Sequence, residues 1–450
     1  MAVLAGCGTT EGLEAPEAPG GLEARRGSYQ GQLSRLLGRQ GGRRTFRLPD
    51  SHRLWRIPQD PANPLTDAKV ALGELLFHET ALGSVPVQAA SAETYACASC
   101  HQAAGGFGAA LPQGIGEGGS GFGAAGESRV VDTAYDSSAP EWTPDVQPIR
   151  SPTALNGAYQ ELMLWNGQFG GVGDNLGTEA GWNGPIANNF EGLQGLETQA
   201  LAGLTVHRMS VAGSRVETDP TYVAAFADAF PGEASPVTQR NAALAIAAYE
   251  RTVLANQAPF QRWIRGDTRA MTDAQMRGAI LFFGDANCST CHTGPALNDM
   301  DFHALGMDDL DAAVAPGADL RPFGGTVPDA VRRGRGGFTG DPSEDYAFKT
   351  PQLYNLADAG SYGHGATFDS VRDVIAYKNA AVPQAAHVPA DALDPAFVPL
   401  GLSDAEIDDL TAFVVEALYD PDLHRYEPDT LPSGNCFPVN DAAGADDLCE

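Results

Sequence analysis

Positive charge is what this 450-residue sequence lacks most. Lysine occurs only at Lys69, Lys349 and Lys378, and 28 basic residues stand against 57 acidic ones, a formal charge of -29. A surface of that sign repels phosphate backbones and anionic headgroups, which excludes nucleic acid as a partner. It reads as a solvated acidic surface, with steering of a basic redox partner as the alternative. Long apolar runs are missing too. Nothing in the chain approaches the roughly 20 residues needed to cross a bilayer, which leaves a lipid anchor as the one route to a membrane. Strand-like alternation is also absent, and apolar residues recur at helical spacing instead.

Leu4-Ala5-Gly6-Cys7 has the form of a lipoprotein cleavage box. Only six residues precede Cys7, too few for a charged region and an apolar core, so a lipidated Cys7 implies a start upstream of Met1. A Gly/Glu/Ala/Pro-rich stretch follows, and residues 1–44 are expected to be leader and flexible tether.

Beyond the tether, Val70, Ala71, Leu75 and Leu76 predict a helix over 67–77, and Leu244, Ile246, Ala247, Tyr249 and Val253 predict one over 241–253. Thr272 with Gln275 three residues on forms a capping box for a helix over 272–283. Further helices are expected over 370–380 and 403–418, with long Gly-rich loops over 102–148 and 324–340.

Seven cysteines are present, and four of them form two identical patterns: Cys97-Ala98-Ser99-Cys100-His101 and Cys288-Ser289-Thr290-Cys291-His292. Two thiols at this spacing can add to the two vinyl groups of one porphyrin, and the adjacent histidine then reaches the iron. Structural zinc requires cysteine pairs closer in sequence, and a thioredoxin-type dithiol explains neither the duplication nor the histidines. The expectation is two covalently bound haems c, with His101 and His292 as iron ligands, in a protein exported to the periplasm or otherwise beyond the cytoplasmic membrane. Cys436 and Cys449 remain in a polar tail, where an oxidising compartment favours a disulfide. Each motif follows a predicted helix and precedes a long loop region. The fold class is therefore mainly α, with two cytochrome c-like domains over 45–255 and 256–425 and a tail over 426–450.

Several segments carry a family likeness: Leu72-Gly73-Glu74-Leu75-Leu76-Phe77, Ser151-Pro152-Thr153-Ala154-Leu155-Asn156, Leu164-Trp165-Asn166-Gly167, Leu196-Glu197-Thr198-Gln199-Ala200, and Phe348-Lys349-Thr350-Pro351-Gln352-Leu353-Tyr354-Asn355 with Tyr362-Gly363-His364. With the two haem motifs, they make the chain resemble the bacterial di-haem cytochrome c peroxidase and MauG family from about Asp67 to Leu418. The resemblance implies a peroxide-reacting N-terminal haem, a C-terminal haem that passes electrons to it, and Trp165 between them. Gln199 falls in the matched distal segment.

Departures from the family pattern are as informative as the matches. The family's distal glutamate is missing from Val206-His207-Arg208-Met209-Ser210. His207 titrates in the range a peroxide acid/base catalyst needs, and Arg208 could polarise the departing oxygen. No histidine lies between Gln102 and Arg150 to act as a removable ligand, which implies a peroxide site open without reductive activation. Arg150 stands where the family's inter-haem calcium site has asparagine, and its charge would repel calcium. The resemblance also places the sixth ligand of the C-terminal haem, methionine or tyrosine in the family, at Lys378, with the adjacent Tyr377 as the alternative. A lysine amine binds iron only when neutral, and burial and the metal's charge both favour that form.

The expected activity is reduction of hydrogen peroxide with electrons from a small cytochrome c or cupredoxin. Oxidation of a partner protein in the manner of MauG is the alternative. A non-catalytic electron-transfer cytochrome is the second alternative, against which the histidine-free loop after His101 argues.

Overall fold

The computed structural model describes residues 19–135, 142–312 and 318–449. Cys7 lies outside them. Helices supply the framework, and the described strands are four two-residue segments paired as Gly119–Ser120 with Val130–Val131 and Phe302–His303 with Phe348–Lys349.

Two helix crossings organise the molecule. The Asp67–His78 helix starts at Thr66, whose hydroxyl accepts from Lys69 N, and it crosses the Gln239–Thr252 helix. The contact is so close that a Cβ on Gly73 would lie 1.9 Å from the Ala245 carbonyl oxygen. The Asp273–Phe282 helix carries the predicted capping box of Thr272 and Gln275 and crosses the Asp404–Thr411 helix in the same way. A Cβ on Gly278 would lie 1.9 Å from the Asp409 carbonyl oxygen. In both places glycine lets one backbone rest on another, where any side chain would force the helices apart. Each crossing stands just upstream of one Cys-x-x-Cys-His segment, and both segments begin as a single turn, Cys97–Ser99 and Cys288–Thr290.

The helix over Gly195–Val206 carries Gln199 and ends at His207. It is tied to the Gln239–Thr252 helix by a fully buried ion pair, in which Arg251 Nε and Nη2 donate to Glu197 Oε1 and Oε2 at 2.9 and 2.6 Å. Asn63 also donates to Glu197. A buried pair stripped of one partner strands the other charge, so the helix bearing the candidate distal residues is rigidly placed.

Two expectations are corrected. The tether does not extend to residue 44, because Pro19–Arg39 forms a helix. Its Leu33 and Leu37 are fully buried in the main core, and Arg26 and Gln30 donate to the carbonyls of Met271 and Thr268. Gly27, Gly31 and Gly38 lower the local helix propensity and hide this segment in the sequence, and tertiary burial overrides them. The tail is likewise more than a polar appendage. Val439 is fully buried, and Cys436 and Cys449 are joined by a disulfide with Cα atoms 6.0 Å apart. This loop lies on the first motif: Ser99 Oγ donates to the Pro438 carbonyl at 2.6 Å, Asn440 N donates to Thr94 O at 3.1 Å, and Arg129 pairs with Asp441 at 3.1 Å.

Candidate active site

The second motif opens on a cavity of about 350 Å³. Cys288, Cys291 and His292 line it together with Lys378, while Trp165, Arg150 and His364 line its wall on the side of the N-terminal half. His292 Nδ1 donates to the Leu297 carbonyl at 3.0 Å, which fixes the tautomer and leaves Nε2 with its lone pair. Burial, with the Lys378 charge adding to it, pushes the His292 imidazole down to about 4, so it is neutral and able to bind a metal.

The first motif repeats the donor set. His101 Nδ1 faces the Phe107 carbonyl at 3.3 Å, and burial, reinforced by the charge of His207, pulls the imidazole down to about 4. None of Cys97, Cys100, Cys288 and Cys291 is bridged. Burial raises the thiols of Cys97, Cys100 and Cys288, the last two to about 12. A catalytic dithiol requires the opposite shift. Unbridged thiol pairs, a neutral histidine held by a backbone carbonyl and an enclosed volume beside the second set fit haem. Cys291 also clusters with Asp299 and His303 in a metal-like group, but thioether formation would consume that sulfur.

The structure brings three of the sequence-predicted distal residues close to one another. A Cβ on Gly203 would stand 3.3 Å from Gln199 Nε2 and 3.9 Å from His207 Cδ2, so both side chains flank one face of the helix. His207 is half-buried, with 36% of its side chain accessible. Its Nδ1 donates to Asp145 Oδ2 at 2.8 Å. Burial lowers the imidazole's proton affinity, but the charge and hydrogen bond of Asp145 outweigh it, and the net shift is upward. Arg208 sits beside it at a left-handed φ of 57°, where its Nη1 donates to the buried Glu117 carboxylate and to the Thr143 carbonyl. Its guanidinium is thereby committed, and it acts on His207 through charge.

Asp145 and Glu117 were not legible as site residues. Both lie in the Gly-rich stretch read as loop, and Asp145 is 62 residues from His207 in sequence. No sequence signal singles them out, because the same stretch also carries Glu127, Asp132, Asp136 and Glu141.

Trp165 is anchored between the two halves. Its Nε1 donates to the Arg150 carbonyl at 2.7 Å, and its ring meets His364 edge-on with centroids 6.3 Å apart. Of the two candidate sixth ligands, the structure separates one from the other. Lys378 lines the cavity with Cys288, Cys291 and His292, whereas the Tyr377 hydroxyl donates to the Leu305 carbonyl and its ring packs on Phe368 and Phe397.

Comparison with known proteins agrees with this geometry. Residues 67–269 match the profile of the di-haem cytochrome c peroxidase family. The chain is 32% identical over 378 residues to the cytochrome-c peroxidase IdrP1 of Denitromonas iodatirespirans, covering 80% of this chain and 84% of that protein. It is 29% identical over 341 residues to the methylamine utilization protein MauG of Methylorubrum extorquens, covering 73% and 72%. Among solved structures, a MauG-like protein associated with microbial copper homeostasis shares the fold, with a TM-score of 0.57 at 23% identity, over 84% of this chain and 95% of that one.

Proposed function

Because this chain belongs to the di-haem cytochrome c peroxidase family, a family of oxidoreductases acting on peroxide, we propose that it carries two covalent haems c, on Cys97/Cys100/His101 and Cys288/Cys291/His292, and reduces hydrogen peroxide at the first with electrons that enter at the second. What supports this division of labour is the difference between the two neighbourhoods. The first motif has His207, hydrogen-bonded to Asp145 and close enough for its charge to act on His101, a proton-handling pair. The second has Lys378, which can fill an iron's remaining position.

The haems, when bound, supply the redox chemistry, and conversion of one peroxide to two waters takes two electrons and two protons. The protein handles the protons. Asp145 accepts the Nδ1 proton of His207 and so leaves Nε2 as the basic atom. In this reading Nε2 takes the proton from the near oxygen of peroxide and returns it to the far one, a role that contributes roughly 10²–10⁴-fold to rate when correctly placed. Gln199 orients the peroxide by hydrogen bonding. Arg208, held by Glu117, limits the rise in His207 proton affinity so that the imidazole can be neutral when peroxide arrives. Trp165, with its indole N–H bound to the Arg150 carbonyl, holds the wall between the halves and lies on the electron route.

The donor is a small cytochrome c or cupredoxin. Oxidation of a partner protein is the second reading, and it is favoured by the histidine-free segment after His101. The reading also places the protein beyond the cytoplasmic membrane, in keeping with its Cys436–Cys449 disulfide. No described helix is long and apolar enough to cross a membrane, and a lipid on Cys7 is the proposed anchor.

Steady-state turnover of peroxide with reduced cytochrome c tests the assignment, alongside acid-acetone extraction. The expected result is catalytic oxidation of the donor by a protein that keeps both haems on extraction. Extractable haem, or peroxide binding at the second haem instead of the first, would refute it.

A further inference from the structure

Arg150 enters the cavity of the second motif with nothing to neutralise it. Its Nε is buried without a hydrogen-bond partner, and no carboxylate among the described residues pairs with its guanidinium. The one group whose charge acts on it is the Tyr362 hydroxyl, which keeps its proton and donates it to the carbonyls of Leu356 and Ala359. Several other basic side chains of the same wall have partners. Arg332, His364 and His387 converge on Asp309 at 2.8, 3.3 and 3.4 Å, and Lys349 Nζ donates to the Leu162 carbonyl at 2.6 Å and to Gln160.

The position of Arg150 is fixed from both sides. Its amide donates to the His364 carbonyl at 2.9 Å and its own carbonyl accepts from Trp165 Nε1, so its backbone is held at the cavity wall. Burying the Nε of an unpaired guanidinium is unfavourable, and a group that fills the cavity can supply the missing partner. A planar guanidinium suits a carboxylate, which it can grip with two parallel hydrogen bonds. Haem brings two carboxylates, its propionates, into any site that holds it.

We propose that Arg150 binds a propionate of the haem carried by Cys288 and Cys291, and that this pairing raises that haem's reduction potential. The inference rests on the reading that haem fills this cavity. Neutralising a propionate removes negative charge that would otherwise favour the oxidised iron.

The experiment compares the full-length holoprotein with Arg150→Gln and Arg150→Lys. Haem content is measured first, then the midpoint potential of each haem by spectroelectrochemical titration. Arg150→Gln is expected to retain two haems and to lower the midpoint of the second while leaving the first in place, and Arg150→Lys to keep most of the wild-type value. An unchanged second midpoint in Arg150→Gln overturns the proposal. So does a wild-type midpoint that moves to the Gln value when chloride is replaced by sulfate, which would assign the guanidinium to a free anion. If Arg150→Gln does not accumulate with haem, the propionate bending band in the resonance Raman spectrum takes its place: a shift between wild type and Arg150→Lys supports the pairing and an identical band defeats it. A wild-type protein with only one haem would defeat instead the reading of the cavity.

Discussion

His207 Nδ1 and Asp145 Oδ2 stand 2.8 Å apart, and the carboxylate is almost wholly buried. Asp145 is in turn pinned by its backbone, with its amide donating to the Glu117 carbonyl and its own carbonyl accepting from Gly116 N, both at 2.9 Å. The imidazole therefore has one tautomer and one orientation. In the proposed reading, a histidine whose proton affinity is raised by a second residue takes the place of the family's distal glutamate.

That coupling predicts a pH signature. The charge and hydrogen bond of Asp145 raise His207 above its ordinary value against the effect of burial, so the neutral, basic form dominates only above the raised value and the rate of peroxide cleavage should climb as pH rises through it. In Asp145→Asn the lifting charge is gone and burial prevails, so the rising limb should move to lower pH. The plateau should fall as well, because an amide can hold the wrong tautomer. His207→Ala should lose roughly 10²–10⁴-fold and show no such limb. Stopped-flow rates across pH check both variants. A His207→Ala enzyme as fast as wild type would return the proton transfer to another residue.

The helices with strong caps and clean periodicity were legible in the sequence. Thr66, Thr272 and Ser370 cap the helices beginning at Asp67, Asp273 and Val371, and local hydrogen bonding is enough to specify such starts. Both Cys-x-x-Cys-His patterns were legible because the chemistry demands contiguous residues. Contacts between residues far apart in the chain were not. Nothing near Asp145 in sequence points to His207, the lack of a partner for Arg150 is visible only in three dimensions, and Val439 reads as one apolar residue in a polar tail until it is seen packed on the first motif.

The glycines at the two crossings should be intolerant of substitution. With a carbonyl oxygen 1.9 Å from the position of a new Cβ, Gly73→Ala and Gly278→Ala must push two helices apart, at a cost of about 1–3 kcal/mol or more for overpacking of a rigid core. Thermal unfolding of each variant should show a clear loss of stability, whereas Gly213→Ala, with no atom within 4 Å of a Cβ, should lose stability only through its positive φ of 80°. Equal melting temperatures for Gly73→Ala and wild type would contradict the close crossing.

The tail predicts a local effect of its disulfide. Closing the loop between Cys436 and Cys449, 13 residues apart, restricts the unfolded chain and should stabilise by about 2–3 kcal/mol. Because Pro438, Asn440 and Asp441 bond to Ser99, Thr94 and Arg129, the loss in Cys436→Ser should centre on the first motif. Hydrogen exchange should quicken over residues 94–101 and remain unchanged over 288–292. Uniform quickening at both motifs would mean that the tail does not act as a strap on the first.

Lys378 gives the sharpest test of ligation. Burial lowers its ammonium to about 8, and part of the opposing pull comes from the thiols of Cys291 and Cys288, which lose their capacity for charge once they become thioethers. The neutral amine is thus favoured further in the haem-loaded protein. Its Nζ lies 5.8 Å from the centre of the Phe397 ring, and although the charge of Asp394 acts on it, it forms no ion pair among the described residues. Tyr377 is a poorer donor on two grounds: burial raises its hydroxyl to about 12, away from the phenolate that iron would bind, and that hydroxyl is already given to the Leu305 carbonyl. The ferric second haem should therefore be low-spin. Lys378→Ala should convert it to a different ligation state in the low-temperature EPR spectrum and open it to cyanide, while Tyr377→Phe should leave the spectrum as it is. The reverse pattern, with Lys378→Ala silent and Tyr377→Phe altered, would transfer the ligand role to the tyrosine.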